Sequence, residues 1–175
     1  MIEQLSEISK VSIHGVESLR TISTQTFTET FAHQNSESDI HKYVSEKLSV
    51  EQLSKELNSK GSSFYFLKLN TQIIGYLKLN TGEAQTELKN STSIEIERIY
   101  IKKEFHSKGF GELLLKHAID VAKQQQVHYI WLGVWEENFK AISFYKRNGF
   151  HQFDTHIFKL GEDEQLDILM KLELN

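Results

Sequence analysis

Along the chain the spacing of apolar residues switches between the helical and the strand period, and each switch marks a boundary. Residues 6–11 suit a short edge strand. From 14 to 32 the apolar and threonine positions Val16, Leu19, Ile22, Thr26, Phe27, Thr30 and Phe31 keep the spacing of a helix face. Asn35-Ser36 interrupts it, and Ser36 with Asp39 forms a capping box in which Asp stands for the usual Glu or Gln. Helices are predicted over 37–48 and 51–57, and Gly61-Ser62-Ser63 closes the helical part. Residues 64–69 and 73–79 alternate as two strands of a hairpin turned at 70–72, and 82–92 is polar and loop-like.

The segment 94–122 carries three signals in succession. Ile94, Ile96, Ile99 and Ile101 with Tyr100 make a buried strand, and 102–108 is a short charged loop. Gly109-Phe110-Gly111 then opens a helix whose apolar positions are Phe110, Leu113, Leu114, Ala118, Val121 and Ala122. Strand, glycine turn and helix together aim backbone N–H groups and a positive dipole end at an anion. The run 129–135, YIWLGVW, is apolar throughout, as for a strand covered on both faces. A helix follows over 138–148, ended by Gly149, and then strands over 150–160 and 166–174 around a polar turn at 161–165. The order of elements predicts one α/β domain spanning 1–175, with a mixed, largely antiparallel sheet flanked by helices.

Composition narrows the chemistry. The chain has 175 residues, enough for a single substantial core, with 39% hydrophobic and 25% charged residues. It has no cysteine, which excludes disulfides, zinc–thiolate sites and cysteine nucleophiles. No apolar run reaches the roughly 20 residues of a membrane span, and the N-terminus lacks a signal-peptide core, so a cytoplasmic protein is expected. The net charge is −4. Residues 101–150 hold eight Lys and Arg against five Asp and Glu, whereas 151–175 hold two against six. A basic glycine-loop region within an acidic whole suits an anionic cofactor and a cationic partner, and argues against nucleic acid. No histidine falls in a metal signature such as H-E-x-x-H, so no metal is expected.

The glycine loop is neither a Walker A loop, for which no G-x-x-x-x-G-K-[ST] exists, nor a Rossmann fingerprint, whose third glycine would fall at Leu114. His106-Ser107-Lys108-Gly109-Phe110-Gly111 instead resembles the Q/R-x-x-G-x-G/A loop of the GCN5-related N-acetyltransferases (GNATs), with His106 at the Gln/Arg position. Asn138-x-x-Ala141-x-x-Phe144-Tyr145-x-x-x-Gly149-Phe150 resembles the same family's C-terminal acetyl-CoA motif. Taken separately, an ordinary β–α turn and an amphipathic helix would explain the two motifs; together and in order they identify a GNAT. The segments 97–102, 130–138 and 161–170, with 26–36 near the N-terminus, look like the PaiA type of spermidine/spermine N-acetyltransferase within that family.

The resemblance implies acetyl-CoA as co-substrate and a small-molecule amine, with a polyamine first, as acceptor. It implies two strands, 94–101 and 129–135, splayed around the cofactor. Backbone groups of Ile99, Tyr100 and Ile101 would hold its pantetheine arm. His106, Ser107, Lys108, Gly109, Phe110, Gly111 and Glu112 would hold its pyrophosphate, Asn138 the pantetheine, and Lys146 the adenosine phosphate. Glu97 is the expected base, directly or through a water, with Glu95 beside it; the alternative is that Glu97 attracts the cation or pairs with a lysine. Tyr145 is the expected acid, with plain packing as its alternative. Phe27, Phe31 and Tyr43 would give apolar and cation–π walls, with core packing the alternative for Phe27 and Phe31, and Glu29 would read an ammonium. Other amines, such as a peptide N-terminus or an amino sugar, and a non-catalytic CoA-binding module remain alternatives, and a homodimer is left open.

Overall fold

The computed structural model describes residues 6–160 and 163–174. The chain forms β1 (Ser6–Lys10), α1 (Val16–Phe31), α2 (Glu37–Lys47), α3 (Val50–Leu57), β2 (Ser62–Leu69), β3 (Gln72–Thr81) and β4 (Ser93–Ile101). Then come α4 (Phe110–Gln124), β5 (Tyr129–Trp135), α5 (Phe139–Arg147), β6 (His151–Leu160) and β7 (Asp163–Glu173). Every expected element is present with small shifts of boundary. The last strand begins at Asp163 rather than 166. Of the polar turn expected at 161–165, positions 161 and 162 lie outside the described residues, and 163–165 extend the strand pairing.

The seven strands lie in the order β1-β2-β3-β4-β5-β7-β6, and all neighbours are antiparallel except β4 and β5. Helices α1–α3 cover one face through Leu19, Ile22, Phe27, Ile40 and Leu53 against Phe64, Phe66 and Tyr76. On the other face Leu114, Leu115, Ala118 and Ala122 of α4 and Ile142 and Tyr145 of α5 pack on Leu77, Ile94, Ile96, Ile130, Leu132 and Val134. The helix starts follow local chemistry. Ser36 Oγ accepts from Asp39 N at 3.0 Å and donates to the Asp39 carboxylate at 2.7 Å, the expected capping box. Ser49 Oγ caps α3 by accepting from Gln52 N at 3.1 Å. Gly149 ends α5 at φ +88°, a conformation that favours glycine.

Two irregularities of β4 shape the site. Lys78 of β3 pairs with Arg98 while Leu79 pairs with Ile96, so Glu97 is the extra residue of a β-bulge. A regular strand would put Ile94 and Ile96 on one face and Ile99 and Ile101 on the other. The bulge shifts the phase by one, and all four isoleucines reach the α4 face. The second irregularity is the short parallel ladder with β5, which runs from Ser93↔Tyr129 to Glu95↔Trp131 and stops. Beyond it β4 continues on β3 to Ile101, and β5 continues on β7 to Trp135. The two strands therefore splay, as expected, and leave a gap edged by unpaired backbone groups of both.

Leu114, fully buried on the sheet-facing side of α4, tests the packing of this layer. Leu114→Ala should lower stability by about 3 kcal/mol, read from the urea midpoint at unchanged slope.

Candidate active site

The chain leaving β4 leads through the loop at 102–109 to the N-terminus of α4. Gly109, at φ +83°, is the N-cap of α4 and contributes no side-chain cap, unlike Ser36, Ser49 and Asn138 at their helices. Leu113 N makes its bond to Gly109 O at 3.2 Å, so the N–H groups of Phe110, Gly111 and Glu112 precede the first helical bond. The space beside them is bare, because a Cβ on Gly111 would meet nothing nearer than the Phe144 ring at 3.7 Å. Ser107 also takes a positive φ, 59°. Lys108 sends Nζ to Glu104 O at 2.9 Å and over the Phe105 ring. The His106 ring, through Nε2, sits 2.7 Å from Ile101 O and ties the loop to the end of β4. These groups fit an anionic cofactor whose extended arm follows the unpaired edge of Ile99, Tyr100 and Ile101.

Asn138 caps α5, its Oδ1 accepting from Ala141 N at 3.1 Å. Lys146 is exposed in the last turn of α5. Tyr145 is buried among Phe144 and Phe150, and its hydroxyl has no hydrogen bond among the described residues. Burial pushes its ionisation far above the ordinary tyrosine value. Tyr145 also adds to the upward push on the Tyr100 ionisation, after burial, Tyr76 and Tyr43.

On the opposite face Glu95 and Glu97 lie side by side, as expected: the Asn80 amide donates to both, at 3.1 and 2.5 Å. Glu95 is buried and also accepts from Thr86 N and Oγ1 at 2.8 and 2.5 Å; desolvation pushes its carboxyl up against these bonds. Glu97 pairs with a lysine, the alternative noted from sequence. Lys78 Nζ is 2.5 Å from its Oε2 and Arg98 Nη2 is 3.2 Å from its Oε1. Glu56 of α3 faces the same two cations, at 2.9 Å from Lys78 and bidentate on Arg98 at 2.9 and 3.2 Å. Two acids and two bases thus neutralise one another at the bulge.

Phe27, Phe31 and Tyr43 come together as expected, with Phe27 stacked on Tyr43 at 4.2 Å and tilted against Phe31 at 4.7 Å. Glu29 stands apart from them, accepting from Lys103 N at 2.8 Å and from Gln25 at 2.9 Å. A cleft of about 440 Å³ opens over Glu97, Arg98 and Tyr43, and three lysines, Lys42, Lys47 and Lys159, line it as well. The sequence reading missed Glu56, Lys78 and Arg98. Their signal was present: a lysine alternating with leucines in YLKLN, and the slipped phase of IEIERIYI.

A model of the acetyltransferase (GNAT) family matches residues 16–150, and the chain belongs to that family. It is an acetyl-CoA-dependent N-acetyltransferase. The chain is 38% identical over 168 residues to an uncharacterized N-acetyltransferase of Lactobacillus delbrueckii subsp. lactis, covering 96% of this chain and 97% of that one. It is 31% identical over 153 residues to the spermidine N(1)-acetyltransferase of Thermoplasma acidophilum, covering 85% and 90%. The crystal structure of the PaiA N-acetyltransferase from Thermoplasma acidophilum in complex with coenzyme A superposes with a TM-score of 0.80 at 27% identity, covering 97% and 99%.

The four-charge cluster predicts a pH-dependent stability. Glu56→Gln leaves two buried bases facing one acid, a loss of about 3 kcal/mol at pH 7 in urea unfolding. Burial alone would raise the Glu56 carboxyl, but Arg98 and Lys78 outweigh it and hold the group below its ordinary 4.5. A depressed folded pKa stabilises above the unfolded value and loses its effect as pH falls through the folded one. The stabilities of wild type and variant should therefore converge below pH 4.5.

Proposed function

We propose that the acceptor is a polyamine such as spermidine or spermine, acetylated at a primary amine in the gap between β4 and β5. The observation that carries this reading is the 31% identity to a spermidine N(1)-acetyltransferase over most of both chains. The paired carboxylates Glu95 and Glu97 beside the Phe27–Phe31–Tyr43 stack support it, since acids and aromatic faces both attract ammonium groups.

Acetyl-CoA supplies the activated acetyl thioester. The N–H groups of Phe110, Gly111 and Glu112, with His106, Ser107, Lys108 and Gly109 around them, bind the pyrophosphate. Backbone groups of Ile99, Tyr100 and Ile101 hold the pantetheine as an added strand would be held, with the Asn138 amide assisting and Lys146 on the adenosine phosphate. An N–H of β4 directed at the thioester carbonyl is worth about 3 kcal/mol in the transition state. Tyr145 gives a hydrogen bond and then a proton to the departing sulfur. Glu97 draws the ammonium towards the gap, and Glu95 and Glu29 add negative charge nearby. The role of base expected of Glu97 requires one of its two cation contacts to open first.

A second reading has its own observation. Lys42 and Lys47 line the cleft beside Glu46 and Glu97, with Lys159 at its edge paired to Glu164 at 2.8 Å; the two lysines suit an acceptor that carries an anionic group, such as an amino acid or a peptide N-terminus. A panel of spermidine, spermine, lysine, glycine amide, glucosamine and an acidic peptide, assayed by CoA release, separates the two. Spermidine and spermine should give the highest kcat/KM; no preference for them over lysine and glycine amide would end the polyamine reading.

Two variants test the machinery. Gly111→Val should keep the fold, since the added Cβ makes only an ordinary contact with Phe144, while raising the Kd of acetyl-CoA at least tenfold. An unchanged Kd in the folded variant would take the loop out of the site. Tyr145→Phe should preserve fold and acetyl-CoA affinity and lower kcat by about 10²-fold or more. Because burial drives the Tyr145 ionisation upward, the wild-type rate should show no alkaline limb near pH 10 that this variant removes.

A further inference from the structure

Three carboxylates share the sheet face opposite α4 around the gap, and their hydrogen-bond accounts differ. Glu95 and Glu97 belong to the β4 side. Asp167 belongs to the β5 side: it lies in β7 directly opposite Trp135, the last residue of β5, and directly opposite His156 of β6. Ile130, Leu132 and Val134 of β5 enter the core under α4, so Trp131, Gly133, Trp135 and their neighbour Asp167 occupy the other face. The Asp167 carboxylate leans over Gly133, its Oδ2 only 3.4 Å from where a Cβ on that glycine would stand. Gly133 is exposed in a strand otherwise built of large side chains, at the stretch where β5 has parted from β4.

A base needs a lone pair that the protein has not already engaged. Glu95 accepts three hydrogen bonds, and Glu97 is held by Lys78, Arg98 and Asn80. Asp167 accepts none from the described residues. We infer that Asp167, lying over Gly133 beside the open end of β5, is the group that takes the proton from the acceptor ammonium. The inference rests on the reading of the gap as the acceptor site. It leaves Glu97 as the charged anchor on the β4 side.

The environment agrees with that division of labour. Burial pushes the Asp167 carboxyl up to about 6, with His156 pulling the other way. Two carboxylates on one sheet face, one clamped by cations and one left without donors, are suited to different tasks. The groups facing Asp167 are His156, which pairs with Glu87 of the 82–92 loop at 3.1 Å, and Asp154, two positions earlier on β6. Gly133 and Trp135 on the β5 side bring no charge.

The proton account closes. The nitrogen enters as an ammonium with three hydrogens and leaves as an amide with one. Asp167 takes the first proton and passes it to solvent. The amine lone pair forms the C–N bond as the C–S bond breaks, and the electron pair leaves on sulfur. Tyr145 gives sulfur a proton and is restored by the second proton from nitrogen, through solvent.

The test is the pH profile of kcat/KM for the amine, from pH 5 to 9, in wild type, Asp167→Asn, Glu97→Gln and His156→Gln, each with its thermal midpoint and acetyl-CoA Kd. Wild type should show an acidic limb centred near pH 6. Asp167→Asn should lose the limb and about 10²-fold or more in kcat, at unchanged acetyl-CoA Kd. Its thermal midpoint should rise at pH 8, because a carboxylate with a raised folded pKa opposes folding once ionised, and this gain should fade below the unfolded value of 3.8. A structural role would lower stability and activity together. His156→Gln should keep the limb and move it to higher pH. A limb retained in Asp167→Asn, or lost in Glu97→Gln or His156→Gln instead, overturns the inference. Asp167→Ser provides a second variant with the same expectations. If another amine of the panel surpasses spermidine, the profiles are recorded with that amine, so the polyamine reading can fail while Asp167 is still judged.

Discussion

The bulge at Glu97 is the constraint on which the rest of the site depends. An extra residue bends a strand and increases its twist, and β4 loses contact with β5 two residues before it. The same residue turns Ile99 and Ile101 toward α4. With the isoleucines turned in that direction, the opposite face is free to carry Glu95, Glu97, Arg98 and Tyr100. A regular β4 would bury part of its charge among the leucines of α4 and carry part of its hydrocarbon to the polar side. The gap and the polar face beside it have one origin.

A polar cluster of this depth is hard to form and harder to dismantle. Taking charges from water is costly, and mutual attraction repays it only where every partner is in place. Glu56 extends that condition to α3, the helix that supplies one of the four charges. The α3 helix therefore does more than cover β2; it supplies the charge that lets Lys78 and Arg98 sit inside the sheet. Docking of α3 and order in β4 become one event.

Much of this was legible in the residues. Helix starts announced themselves through Ser36 and through the glycines at 109 and 111, and the end of α5 through Gly149, because capping and backbone sterics act over three or four residues. The two motifs carried the family and the cofactor. The bulge was written in the slipped isoleucine phase, but a run of four isoleucines reads as one strand unless its faces are counted separately. Glu56 with Arg98 and Asp167 with Gly133 were not legible. Each pair joins residues far apart in the chain, and nothing local distinguishes a carboxylate that will meet two cations from one that will meet none. Glu29 shows the same limit: its carboxylate reaches a backbone N–H 74 residues away, a bond nothing local announces.

That last bond has a consequence for how the two halves of the site communicate. Glu29 belongs to α1, which also carries Phe27 and Phe31 of the aromatic stack, and its oxygen holds Lys103 N at the start of the loop leading to α4. On the proposed placement of the two substrates, one hydrogen bond joins the helix beside the amine to the turn beside acetyl-CoA. A displacement of α1 by an arriving amine would then alter the footing of that turn, and thermodynamic reciprocity would make the change in affinity the same in both directions. Under that proposal the two binding equilibria would be coupled, with Glu29 as the pin between them.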